Sequence, residues 1–98
     1  MILSDEPGIY REGMHGVRHE NLVLVRSVGH NEFGQWLGFE TLTLCHFDTS
    51  CLDTSLLTAD ELDWLNAYNR HVYETLAPRL PADVAAWLLD QTRPVLAK

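Results

Sequence analysis

The ninety-eight residues predict an α+β chain, a small antiparallel β-meander followed by two α-helices. Three observations carry that reading. Short apolar runs, alternating or continuous and bounded by glycine and proline, fill the first half. A capping-box signature, Thr58-Ala59-Asp60-Glu61, opens the second half. Beyond it, apolar residues recur at spacings of three and four.

The elements follow in order. Met1 to Asp5 reads as a short strand that Pro7-Gly8 ends, because proline gives up a ladder donor and glycine permits a turn. Residues 9 to 16, with glycines at 13 and 16, read as a loop. Val17 to Val28 alternates, with Arg18, Glu20, Leu22 and Leu24 on one face and Val17, His19, Asn21, Val23 and Val25 on the other. Gly29 to Gln35 reads as a longer hairpin loop, and Trp36 to Phe47 as the antiparallel partner strand. Apolar residues on both faces beyond position 21 suggest a covering layer supplied from outside this chain. Asp48 to Leu57 is a linker. The first helix spans about residues 59–77, buries Leu62, Leu65, Tyr68 or Asn69, Val72 and Leu76, and stops at Pro78. The second begins near Pro81 and carries Val84, Trp87 and Leu88 before Pro94.

Composition excludes several classes. Hydrophobic residues make up 46% and charged residues 21%, which marks a globular chain. The net charge of −7 argues against a nucleic-acid partner, whose binders cluster Lys and Arg. No apolar run reaches the ~20 residues of a membrane span, and no basic segment leads into an apolar one as in a secretion signal. Cys45 and Cys51 are no disulfide framework; reduced thiols fit a cytoplasmic protein, with a bridge closing that short loop as the alternative.

The chemistry concentrates at two carboxylates. Glu6 follows Met1-Ile2-Leu3 and Glu20 precedes Leu22-Val23-Leu24-Val25. An acid set into so apolar a run is costly unless it is paired or binds a metal. The stretches Ser4-Asp5-Glu6-Pro7-Gly8-Ile9-Tyr10 and Gly16-Val17-Arg18-His19-Glu20-Asn21-Leu22-Val23-Leu24-Val25 closely resemble the end of the catalytic domain of Xaa-Pro aminopeptidases, in the pita-bread metallopeptidase family M24. The likeness continues through Gly38-Phe39-Glu40-Thr41-Leu42-Thr43-Leu44, Leu56-Leu57-Thr58, Trp64-Leu65-Asn66-Ala67-Tyr68, Trp87-Leu88 and Thr92-Arg93-Pro94. These later pieces resemble the C-terminal extension of three-domain members.

The resemblance implies that residues 1–47 end a metallopeptidase catalytic domain and residues 48–98 form a helical extension. It also implies a dinuclear site of two Asp, one His and two Glu, onto which Glu6 and Glu20 map, Glu20 at the bridging position. Manganese is the expected metal, with zinc or cobalt compatible, because carboxylates suit hard divalent ions. Such a pair polarises the carbonyl before proline and supplies hydroxide. Glu6 would also accept a proton, and Arg18 would orient the bridging carboxylate. The expected substrate is a peptide with proline at its second position, and the extension implies a homodimer. The two Asp and the His are not among these residues, so the chain reads as a fragment, or as a reading frame opened at an internal Met, and as inactive alone. Asp5 does not fill the gap, since strand neighbours face opposite ways. His15 and His19 depart from the family pattern, which puts substrate preference in question.

Plainer readings stand beside these. Arg18 and Glu20 could form a structural ion pair, and Glu40 a structural partner of Arg18 or of backbone. His15, His19, Cys45, His46 and Cys51 match no zinc spacing. Trp64, Tyr68 and Trp87 fit helix packing or a subunit contact. The rival function is a non-catalytic interaction or dimerisation module; a zinc module ranks last.

Overall fold

A computed structural model describes residues 1–97. It contains five strands, β1 (Ile2–Asp5), β2 (Gly8–Arg11), β3 (His15–Arg18), β4 (Asn21–Asn31) and β5 (Gly34–Thr41), then helices α1 (Ala59–Leu76) and α2 (Ala82–Gln91). The α+β order is the one the sequence predicts. Two compact units divide the chain, Met1–Thr43 and Leu44–Lys98.

In the first unit, β1, β4 and β5 form one antiparallel sheet in that order, and β2 and β3 pair separately. Residues 9 to 16 are therefore not a loop. They supply most of a second hairpin, whose turn is Glu12-Gly13-Met14, with Gly13 at φ 69° and the Met14 N–H donating to the Arg11 carbonyl. That φ is open to glycine at little cost. The expected strand 17–28 is likewise two strands, interrupted at His19 and Glu20.

The hairpin expected at 29–35 is tighter than predicted. Strand β4 continues through Gly29 to Asn31, and only Glu32 and Phe33 connect it to β5. The Phe33 N–H donates to Oδ1 of Asn31 at 2.9 Å, closing the turn with a side chain. Between Ser27 and Gly29 the register shifts, so Val28 is the extra residue of a bulge. Gly29 thus marks a bulge rather than a strand end. Strand β5 stops at Thr41, six residues short of the predicted Phe47, although the Leu42 N–H still donates to Leu22.

In the second unit the Thr58 hydroxyl accepts from the Glu61 N–H at 3.2 Å, and Glu61 accepts from the Thr58 N–H at 2.9 Å. This reciprocal cap starts α1 where the sequence placed it. Leu65, Tyr68, Asn69 and Val72 are its buried residues, while Leu62 and Leu76 are half-buried. A single 3-10 turn, Ala77–Arg79, takes up Pro78. Pro81 caps α2 from outside rather than serving as its first residue. Of the predicted α2 trio only Leu88 is buried; Val84 and Trp87 are exposed.

Two asparagines tie extended segments to α1. Asn69, 1% exposed, accepts from the Phe47 N–H at 3.0 Å and donates to the Phe47 carbonyl at 3.3 Å. Asn66 does the same for Val95, at 2.8 and 2.9 Å. Each amide stands in for one residue of a neighbouring strand, answering backbone groups that would otherwise lack partners.

Candidate functional site

Strand register sets the two glutamates opposite one another. Asp5 pairs with Asn21 in one ladder and Gly8 with Arg18 in the other. Both pairs belong to one continuous register, so Glu6 falls opposite Glu20 and Pro7 opposite His19. The His19 N–H donates to the Pro7 carbonyl at 3.1 Å, and proline has no N–H with which to return the bond. That missing donor interrupts the ladder beside Glu6 and Glu20.

The pairing type matters too. Val25 donates to Met1 and His19 to Pro7, so hydrogen-bonded pairs fall on odd-numbered residues. Glu6 and Glu20 then form a non-hydrogen-bonded pair, the kind in which Cα atoms approach to ~4.5 Å and side chains are closest. Residues directly opposite share a face. The same parity puts Gly8, Tyr10, Gly16 and Arg18 on the glutamate face. Asp5, His15 and His19 lie on the other.

Arg18 answers the carboxylates. Its Nε stands 3.2 Å from a Glu20 oxygen, with both side chains roughly half exposed. The guanidinium is held above its usual range, first by the Tyr10 hydroxyl beside it. Glu20 and then Glu6 add to the effect by charge. Sequence reasoning misses Tyr10, because residues 9–16 read as a loop. The available signal was parity, since Tyr10 falls on the Glu6 face once 8–18 is paired as a hairpin.

One cation therefore faces two carboxylates. Like charges directly opposite on a sheet destabilise each other, and a single guanidinium offsets only one. The excess negative charge and hard oxygen donors suit a divalent cation. The donor set is partial: among the described residues no group of three His, Cys, Asp or Glu is placed to hold a metal.

Glu40 pairs with Arg26 rather than with Arg18, at 3.1 Å across β4 and β5. Its register partner is Leu24, which leaves Arg26 one diagonal step away, while Arg18 lies on β3, outside this sheet. This pair is a surface contact of the sheet.

A sequence profile of the C-terminal region of peptidase M24 matches residues 35–95. A probable Xaa-Pro aminopeptidase P of Coprinopsis cinerea is 42% identical over 97% of this chain and 16% of its own length. Aminopeptidase P2 of Arabidopsis thaliana is 43% identical over 97% of this chain and 14% of its own length. The crystal structure of X-prolyl aminopeptidase from Caenorhabditis elegans, described as a cytosolic enzyme with a di-nuclear active site, superposes with a TM-score of 0.82. It shares 33% identity, over 96% of this chain and 16% of that one. The chain thus spans about a sixth of the length of these relatives, and on the matched profile it belongs to the C-terminal region of the peptidase M24 family.

Proposed function

We propose that this chain contributes part of a dinuclear metal site to an aminopeptidase that releases the residue preceding proline. The observation that supports the reading is the register shared by the two ladders, which sets Glu6 opposite Glu20, with Arg18 in contact with Glu20. Glu6 and Glu20 would hold the ions, Glu20 as the shared carboxylate. When bound, the ions supply Lewis acidity toward the scissile carbonyl and an activated water. Arg18 holds the Glu20 carboxylate in one orientation, as outer partners of metal ligands do. Glu6 is also a candidate to accept a proton from the attacking water, which a carboxylate within hydrogen-bond reach can do. Manganese is the favoured metal, with zinc or cobalt compatible. The substrate is a peptide with proline second.

On this reading residues 1–47 end the catalytic domain and 48–98 form the extension, close to the junction of the compact units at Thr43 and Leu44. The isolated chain is inactive, because two Glu do not complete the donor set. Cytoplasmic location is supported by the worm enzyme, described as cytosolic. Among the described residues no helix is long and apolar enough to cross a membrane.

In the gene product that carries this chain, Glu20→Ala should abolish turnover of an Xaa-Pro peptide and lower bound manganese, read by elemental analysis. Retained turnover with full metal would refute the ligand assignment.

A second reading, in which the extension makes a subunit contact, draws on two aromatics. Trp64 stacks on Tyr68 with centroids 5.3 Å apart yet is 51% exposed, and Trp87 is 55% exposed. Large exposed aromatics are favoured at interface cores. Sedimentation of the gene product with Trp64→Ala and Trp87→Ala, separately, tests it: a dimer that neither change weakens rules it out.

A further inference from the structure

Tyr10 rests on two glycines. A Cβ at Gly8 would stand 2.7 Å from the Tyr10 hydroxyl and 2.9 Å from Cε2 and Cζ. A Cβ at Gly16 would stand 2.9 Å from Tyr10 Cδ1. These glycines are the same-strand and cross-strand neighbours of Tyr10 on one face. The ring therefore lies along the sheet, its root over Gly16 and its hydroxyl end over Gly8. Neither glycine has positive φ; Gly13, Gly29 and Gly34 do. The backbone does not require glycine at 8 or 16, so the reason for it is space. Close approach of another group is a recognised use of a strand glycine, and an aromatic laid over it offsets the missing side chain.

We infer that Gly8 and Gly16 are positioning residues, forming a flat seat that holds the Tyr10 hydroxyl against the Arg18 guanidinium and, through it, the Glu20 carboxylate. Tyr10 is 63% exposed, so no surrounding core fixes its ring in place of the seat. Opposite Arg18 stands Gly8, whose missing side chain leaves open the diagonal along which the hydroxyl reaches the guanidinium. A side chain at 8 meets the hydroxyl end; one at 16 meets the ring root. Both move the phenol off the seat.

The catalytic meaning of the seat rests on the aminopeptidase reading; its geometry does not. In the manganese-loaded gene product, Gly8→Ala and Tyr10→Phe should each lower kcat on an Xaa-Pro peptide about tenfold or more, with KM little changed. The double variant should be no worse than the poorer single, because both changes take the phenol hydroxyl away from the same place beside Arg18. Losses that multiply would overturn the seat and leave Gly8 a backbone residue. A second measurement needs no turnover. In the ninety-eight-residue chain labelled at tyrosine Cζ, the Tyr10 resonance, assigned through Tyr10→Phe, should move in Gly8→Ala and in Gly16→Ala. A resonance that stays in place in both variants overturns the proposal even if the enzyme is active. An inactive wild-type product would count against the peptidase reading, and the resonance would still decide the seat.

Discussion

Asn69 shows how much one side chain holds in the helical unit. Its amide serves both backbone groups of Phe47, and at 1% exposure water cannot replace it. Asn69→Ala should lower stability by ~1–3 kcal/mol, since buried groups are left without partners. Chemical denaturation checks this, and Arg93→Ala, which removes only an exposed pair with Asp90, is a neutral reference. Spacing puts Asn69 among the buried candidates, but nothing local shows what it binds, because its partner lies 22 residues away. The Arg18–Glu20 ion pair is legible, because the two residues stand two apart on one strand face. Tyr10 is not, because Gly13 and Gly16 look like loop residues until pairing shows one to be a turn and the other a seat. The partner of Glu40 was misread for a related reason: the extra residue at Val28 and the true strand ends set which cation lies diagonal to it.

Among elements, α1 is the most completely written in the sequence. Its start depends on a reciprocal side-chain cap and its face on spacing, both local. Thr58→Ala should cost ~0.5–2 kcal/mol by removing that cap. Leu65→Ala should cost ~2–5 kcal/mol, and Leu62→Ala less, because Leu62 is only half-buried. An unchanged melting curve for Leu65→Ala would mean the buried face is misidentified. The cap also makes a pH prediction. The Thr58 N–H, and then its side chain, hold the Glu61 carboxyl below its ordinary value of 4.5. The folded state thus binds that proton more weakly than the unfolded chain. The stabilisation is full above the ordinary value and is lost as pH falls through the lower folded one. Helix melts followed by circular dichroism from about pH 6 to pH 3 should show this loss, and Glu61→Gln should flatten it. Strands were less legible than helices because glycine has several uses. Gly29 follows a bulged residue and Gly13 turns a hairpin, and only pairing separates those roles.

Across the whole molecule, burial is uneven. In the first unit only Asn21 is buried, while Ile2, Leu22 and Phe39 are 62%, 44% and 69% exposed. Among the described residues, the largest fully buried side chains, Val72 and Asn69, belong to the helical unit. Local stability follows buried contact, so amide exchange in this chain should be faster across β1–β3 than in the middle of α1. Hydrogen–deuterium exchange read by NMR tests this; equal protection would contradict it. The apolar exposure agrees with the sequence expectation that both faces of β4 call for cover.

The shared register has a consequence for how such a chain can change over time. Lengthening the Glu12–Met14 tip leaves every rung behind it intact, so insertions there should be tolerated. Adding or deleting one residue in either arm between the tip and Glu6 or Glu20 would turn one acid to the reverse side of the ribbon. On the aminopeptidase reading, gene copies should therefore vary in length at the tip and hold the two arms to constant size.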